Sequence, residues 1–125
     1  MWILDTNALI ICMKDENKNI FKKNYSFTTI FSLIEYPIAI NQKFLVIFYP
    51  KHNTYQKSLE YTAKLRKNGT PIPAIDILIG AIAIEKKMII VSNDAHFNFF
   101  KEVEAQLRII DTNEYIQEIL KIKIF

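Results

Sequence analysis

Glycine and cysteine are scarce in this chain, and their scarcity excludes two kinds of site. The two glycines, Gly69 and Gly80, are too few and too far apart to form a glycine-rich phosphate loop. The single cysteine, Cys12, cannot form an internal disulfide and suits a reducing compartment. Because it stands within the apolar residues 10–13, we expect Cys12 to lie in the core and not to act as a nucleophile.

Histidine is equally scarce, with only His52 and His96 in the chain. Neither has a partner at metal-ligand spacing, so the sequence predicts no zinc site and no histidine general base. Ser/His/Asp catalysis is also excluded, since no nucleophile elbow is present. We therefore expect both histidines to have no catalytic role.

Long apolar runs are absent too. No stretch reaches the roughly 18–20 uninterrupted apolar residues of a membrane span. The apolar run at residues 1–4 ends at Asp5, so it does not read as a signal peptide. Together with the free thiol, these absences predict a cytoplasmic protein.

The chain has 125 residues, enough for one domain with an ordinary core, which we place at residues 1–125. Apolar residues make up 50% and charged residues 23%, a balance typical of globular proteins and not of disordered ones. The net charge of +3 neither requires nor excludes a nucleic-acid partner.

Apolar runs alternate with helical patterns, which predicts an α/β fold with a parallel sheet. Residues 88–92 lack polar alternation, so both faces of that strand should be buried. Pro37 should kink or divide the helix that begins after Thr28 or Thr29. We expect strands at 1–4, 25–27, 44–49, 88–92 and 107–110. Helices are expected at 7–13, from Thr28 or Thr29 through Glu35, from Asn53 or Thr54 to 67, at 74–86 and 97–103, and from 111 onward.

Four carboxylates, Asp5, Glu35, Asp76 and Asp94, border or interrupt apolar segments. A carboxylate beside buried surface costs several kcal/mol unless it is paired or bound to a cation. Oxygen ligands that gather without matching Arg or Lys suit Mg²⁺ or Mn²⁺. We therefore predict that these four residues form a catalytic metal site.

Local pattern brings three of the acids together. Asp5 and Asp94 follow predicted strands, and ligands of open parallel sheets bind beyond the carboxyl ends of the strands. Asp76 lies in the first turn of a predicted helix, where the helix dipole favours a negative charge. Glu35 needs tertiary packing to join them. Taken singly, the aspartates could also be ordinary turn or helix-start residues.

The acids stand in four segments whose order is informative: Leu4-Asp5-Thr6-Asn7, Phe31-Ser32-Leu33-Ile34-Glu35-Tyr36-Pro37, Ile72-Pro73-Ala74-Ile75-Asp76-Ile77-Leu78-Ile79-Gly80-Ala81 and Val91-Ser92-Asn93-Asp94-Ala95-His96-Phe97. In order and spacing these segments resemble the PIN domain, and within that family the VapC-type toxins of prokaryotic toxin–antitoxin pairs. The resemblance spans residues 4 to 97. One departure is Gly80, which stands where many relatives have Ala.

The resemblance implies a single PIN-like nuclease domain, with three α/β/α layers around a central parallel sheet. It implies an endoribonuclease that cleaves single-stranded RNA with one or two Mg²⁺ or Mn²⁺ ions. Asp5 and Asp94 would be the principal metal ligands, completed by Asp76 and Glu35. Asn7 and Ser92 would support them. The implied partners are an antitoxin protein and a second copy of the chain in a homodimer.

Three alternatives stay open or are weighed against this reading. A housekeeping RNA-processing nuclease of the same fold differs from a toxin only in its genetic neighbour. An inactive PIN-like binding module is also open, although all four acids are present. A phosphotransfer protein is disfavoured, because Thr6 and Asn7 follow Asp5 where a receiver domain or a haloacid-dehalogenase phosphatase needs a further acid.

The apolar residues of segments 36–40, 44–48 and 115–125 admit two interpretations. They could be ordinary core, or they could be partly exposed at an interface with a partner.

Overall fold

The computed structural model describes residues 1–17 and 19–121. The predicted apolar tail therefore lies partly outside the described residues, from residue 122 onward. No helix in the described ranges is both long and apolar enough to cross a bilayer. In chain order the elements are β1 Trp2–Leu4, α1 Thr6–Cys12, α2 Ile20–Lys23, β2 Ser26–Thr29, α3 Ile30–Glu35, a 3₁₀ helix Pro37–Asn41, β3 Leu45–Phe48, α4 His52–Lys67, α5 Ala74–Lys86, β4 Ile89–Val91, α6 His96–Val103, β5 Ile109–Ile110 and α7 Thr112–Leu120.

The five strands form one all-parallel sheet with the order β3-β2-β1-β4-β5. This confirms the predicted α/β class with a central parallel sheet. Chain order runs outward from β1 in both directions, so β1 and β4 meet at a topological switch point. Crevices at such points are where open α/β sheets bind their ligands.

Two separate cores cover the two faces of the sheet, because neighbouring strand residues point in opposite directions. Ile3 and Ile90 belong to the core beneath α4, α5 and α6. Leu4 and Val91 belong to the core beneath α1, α2, α3 and α7. The prediction that both faces of β4 are buried is confirmed, and the molecule has the three layers that the resemblance implies.

Cys12 lies in the second of these cores and is fully buried. Burial raises the pKa of its thiol to about 12. The expectation that Cys12 packs in the core is therefore confirmed, and a thiol with this pKa is a poor nucleophile.

Local residues set the ends of the helices that carry the site. The Thr29 hydroxyl accepts a hydrogen bond from the Ser32 N–H at 3.3 Å and caps α3, as predicted. The predicted division at Pro37 is also found, since α3 ends at Glu35 and a 3₁₀ helix begins at the proline. Helix α4 begins two residues before the predicted boundary, at His52, and Thr54 lies inside its first turn.

Gly80 allows α5 and α6 to approach closely. An added Cβ at this position would lie 2.6 Å from Cε2 of Phe100, whose ring is fully buried. The glycine therefore belongs to the packing of the helix layer that carries Asp76 and His96, at the start of α5 and α6 respectively.

The Gly80→Ala variant tests this packing. In an open helix interior the change would stabilise by about 0.5–1 kcal/mol. Against the Phe100 ring we expect it to lower the free energy of unfolding by about 1–3 kcal/mol in urea denaturation. The same change in a Phe100→Leu background should cost less, because the clashing ring atoms are gone. A single Gly80→Ala variant as stable as the parent protein would contradict the close approach.

Candidate metal centre at the carboxyl edge of the sheet

Asp5 occupies the first position after β1 and is held from two sides. Its backbone N–H donates to the Val91 carbonyl at 3.2 Å, which ties it to the end of β4. Its carboxylate Oδ1 accepts from the Ala8 N–H at 2.8 Å and caps α1. Only 5% of Asp5 is exposed, so this carboxylate is fixed at the switch point between β1 and β4.

The turn after β4 fixes Asp94 through its own backbone. The Asp94 N–H donates to the Ser92 hydroxyl at 2.9 Å, and Asp94 Oδ1 accepts from the His96 N–H at 2.9 Å. Ser92 is buried, whereas Asp94 keeps part of its surface exposed. These two hydrogen bonds hold the Asp94 carboxylate in a short turn that lies next to Asp5.

Asp76 reaches the same place from the first turn of α5. Its Oδ2 lies 2.8 Å from Nδ1 of His96, and the same nitrogen lies 3.2 Å from Oδ1 of Asp94. One ligand atom from each of Asp76, Asp94 and His96 lies within 4.8 Å of the others. These three side chains could therefore hold one ion between them.

Glu35, at the end of α3, joins the group through Thr6. The Thr6 hydroxyl lies 2.7 Å from Glu35 Oε1 and 3.1 Å from the Ser32 hydroxyl. Since Thr6 directly follows Asp5, this contact ties the end of α3 to the start of α1. The charge of Glu35 is also felt at Asp76, where it contributes to a raised pKa.

Burial, together with neighbouring negative charges, raises the pKa of two of the carboxylates, Asp5 and Asp76. Burial raises the pKa of Asp5 from its usual 3.8 to about 6, and the charges of Asp76 and Asp94 add to this rise. The Ser92 hydroxyl and the Ala8 amide act in the opposite direction. The pKa of Asp76 is raised mainly by burial and further by Asp94, while its hydrogen bond with His96 lowers it. A bound cation would relieve this repulsion.

The donor set fits a hard divalent cation. In the part of the chain that the structure describes, neither Lys nor Arg forms an ion pair with any of the four acids. Aspartate oxygens are ligands for Mg²⁺ and Mn²⁺, and an imidazole nitrogen is a ligand for first-row transition ions. The absence of compensating Lys and Arg side chains, which the sequence pattern suggested, is found in the described residues.

The structure thus brings Asp5, Asp76 and Asp94 to one edge, with Glu35 beside them. Ser92 contacts the backbone of Asp94, a position that suits the supporting role expected of it. Asn7 is exposed, and its supporting role stays a prediction. The catalytic and metal-binding roles of these residues are likewise predictions, which the geometry supports.

His96 was not recognised as a site residue, because the sequence offered it no partner at metal-ligand spacing, whereas the structure places it beside two of the acids. It is the first residue of α6 and contacts both Asp76 and Asp94. The available signal was its position two residues after Asp94, in the turn that follows an apolar strand. Thr6, which directly follows Asp5, was also not recognised as a site residue. His52 is exposed at the start of α4, as expected of a residue without such a role.

No family model and no curated protein matches the chain. Solved structures do match in fold. The DNA-bound VapBC of Salmonella typhimurium matches with a TM-score of 0.71 at 20% identity, over 89% of this chain and 97% of that chain. The VapBC-1 structure of nontypeable Haemophilus influenzae matches with a TM-score of 0.69 at 18% identity, over 90% and 98%.

A third structure, VapBC2 of Rickettsia felis bound to a DNA fragment from its promoter, matches with a TM-score of 0.67 at 20% identity, over 88% of this chain and 97% of that chain. The fold is PIN-like. At these identities the likeness defines the architecture, and it covers nearly the whole of each matched chain.

The Asp5→Asn variant measures how much the buried Asp5 carboxylate lowers the stability of the metal-free protein. A folded-state pKa raised from 3.8 to about 6 means that the contribution of Asp5 to the stability of the metal-free protein is greatest below about pH 4 and falls as the pH rises to 6. The loss is of the order of 3 kcal/mol. Asn keeps the cap on α1, so in EDTA the variant should be more stable at pH 7 and should lack this decline.

Denaturation curves in EDTA between pH 4 and 7 measure the effect. The matched control is Asp111→Asn, because Asp111 follows β5 and caps α7 in the same way, at 2.8 Å from the Glu114 N–H, but is exposed. The control should change stability by less than about 0.5 kcal/mol. An Asp5→Asn variant less stable than the parent protein at pH 7 would contradict the electrostatic account.

Proposed function

We propose that this protein is a Mg²⁺- or Mn²⁺-dependent endoribonuclease that cleaves single-stranded RNA, and that it is the toxin of a toxin–antitoxin pair in the cytoplasm. The observation that carries the proposal is that Asp5, Asp76 and Asp94 lie close enough for their charges to interact at the switch point, and that none of them pairs with Lys or Arg among the described residues. Carboxylates arranged in this way have a high electrostatic cost in the free protein and gain most from a divalent ion.

Asp5 and Asp94 are the principal ligands in this proposal, and Asp76 and Glu35 complete the site. One or two bound ions would supply an activated water and would stabilise the attacking and leaving oxygens of the phosphodiester. The protein's own residues set the geometry: Ser92 holds the backbone of Asp94, and Thr6 holds Glu35. Asn7 would assist beside them.

A polar cleft next to Asp94, which Asp111 also lines, is large enough to receive part of a substrate. It has a volume of about 410 Å³ and continues from Ser92 and Asp94 past Asn93, Asn98 and Lys101. This size falls within the roughly 300–1,000 Å³ of sites that bind small ligands. Amides can hydrogen-bond base edges and Lys101 can contact a phosphate, so the cleft suits a nucleotide next to the scissile bond.

The toxin assignment is supported by the likeness to VapBC structures over nearly the whole chain. The two other candidates of the same fold are a housekeeping RNA-processing nuclease and an inactive PIN-like binding module. A small adjacent reading frame that encodes a DNA-binding antitoxin separates toxin from housekeeping enzyme. The complete set of acids at the edge favours an active enzyme over a binding module.

The partner proposals rest on an exposed apolar patch, which consists of Ile34, Ile38 and Ile40. These residues are 68%, 63% and 67% exposed, respectively. All three lie close in sequence to the site residue Glu35. Phe48, in contrast, stacks on Phe27 at 5.5 Å and packs against the core. The two interpretations of segments 36–40 and 44–48 therefore apply to different residues. Phe48 packs with the core, and Ile40 is exposed.

Loss of the principal ligands should abolish RNA cleavage. Asp5→Asn and Asp94→Asn each remove a ligand charge, and we expect each to lower Mg²⁺- or Mn²⁺-dependent cleavage of single-stranded RNA by more than about 100-fold. Glu118→Gln, at an exposed acid on α7, is the matched control and should cleave normally. Retained cleavage in either aspartate variant, with the fold confirmed by circular dichroism, would refute the site assignment.

The exposed apolar patch should take part in a homodimer. Ile40→Lys would place a charge in a desolvated contact, so the variant should sediment as a folded monomer at concentrations where the parent protein is a dimer. Leu59→Lys is the control, because Leu59 is 72% exposed on α4 and lies outside the patch. If Leu59→Lys dissociates the protein and Ile40→Lys does not, the patch is not the dimer contact.

A further inference from the structure

His96 is a titratable group at the acidic edge to which the proposed function gives no role. It contributes the first residue of α6, and its Nδ1 atom lies between two carboxylates from different elements. The backbone N–H of the same residue donates to Asp94 Oδ1 at 2.9 Å. This second contact fixes the backbone of His96 in the turn. The turn therefore positions the imidazole ring near Asp76.

The spacing of the donor atoms suits one six-coordinate ion. Ligand atoms about 2.1 Å from an octahedral metal lie roughly 3.0 Å apart when they are adjacent. Here Nδ1 of His96 lies 2.8 Å from Asp76 Oδ2 and 3.2 Å from Asp94 Oδ1. These two distances bracket the expected separation, and the chosen oxygens of the two aspartates lie within 4.8 Å of each other.

A simple histidine–aspartate hydrogen bond accounts for only half of this arrangement. Nδ1 carries at most one hydrogen, which can be directed at one carboxylate oxygen. The observed nitrogen is within reach of oxygens from two aspartates, and the charge of Asp94 adds to the rise that burial causes in the pKa of Asp76. A cation shared by all three donors would satisfy both carboxylates and the nitrogen lone pair together.

We propose that His96 is a direct metal ligand through Nδ1, and that this nitrogen makes the site select Mn²⁺ over Mg²⁺. Mg²⁺ takes oxygen ligands almost exclusively, whereas imidazole binds first-row transition ions well. The proposal rests on the proposed function for the presence of a metal at this edge, and it adds the identity of a ligand and the preferred ion.

Mn²⁺ itself is the probe. The Mn²⁺ complex of the full chain, prepared at about pH 8 so that the imidazole is neutral, is examined by electron spin-echo envelope modulation. We expect modulation from a nitrogen nucleus bonded directly to Mn²⁺. The signal should be absent in His96→Asn and unchanged in His52→Asn, which removes the exposed histidine at the start of α4.

Binding isotherms give the selectivity. His96→Asn should weaken Mn²⁺ binding by about 10- to 100-fold and Mg²⁺ binding by no more than about threefold. His52→Asn should leave both unchanged. These measurements need no RNA and do not depend on cleavage.

The outcomes separate the inference from the proposed function. Mn²⁺ that binds the parent protein without direct nitrogen coupling, or an equal loss of both ions in His96→Asn, overturns the role of His96 and leaves the carboxylate site standing. A parent protein that binds neither ion overturns both. Because His52 is the other histidine of the chain, direct nitrogen coupling that persists in His52→Asn assigns the signal to His96, so the test holds even if His96→Asn fails to fold.

Discussion

The pairing of β1 with β4 is the constraint on which the rest of the structure depends. These two strands are parallel neighbours, and the Asp5 N–H completes the pairing by donating to the Val91 carbonyl. The residues that follow the two strands therefore lie close together at the carboxyl edge of the sheet. Because Asp5 follows one strand and Asp94 follows the other, the register that builds the core also brings like charges together.

This arrangement has an electrostatic cost that packing does not explain. Asp5 is buried at the end of the sheet with a pKa raised to about 6, although an amide could cap α1 equally well. The pKa of Asp76, in the first turn of α5, is raised as well. Paired groups with raised pKa values are typical of functional sites, and here a divalent cation is what would offset the repulsion.

The sequence predicted those site residues whose positions follow from local pattern. Asp5 and Asp94 could be placed because each follows an apolar strand, and parallel strands share a carboxyl edge. Glu35 could not be placed from pattern alone, because its link to the edge is the hydroxyl of Thr6 from a distant part of the chain. His96 was not identified, because its ring reaches Asp76 only through the packing of α6 against α5. The spacing of residues along the sequence does not predict that contact.

The central claim is that the acidic edge of the sheet binds a divalent metal ion. An anomalous difference map from crystals grown with Mn²⁺ tests it most directly. The account predicts a peak beside Asp94 and Asp76, within coordination distance of their carboxylate oxygens and next to Asp5. A map from Mn²⁺-containing crystals with no peak at this edge, or with its peaks only at other acids such as Glu118, would contradict it.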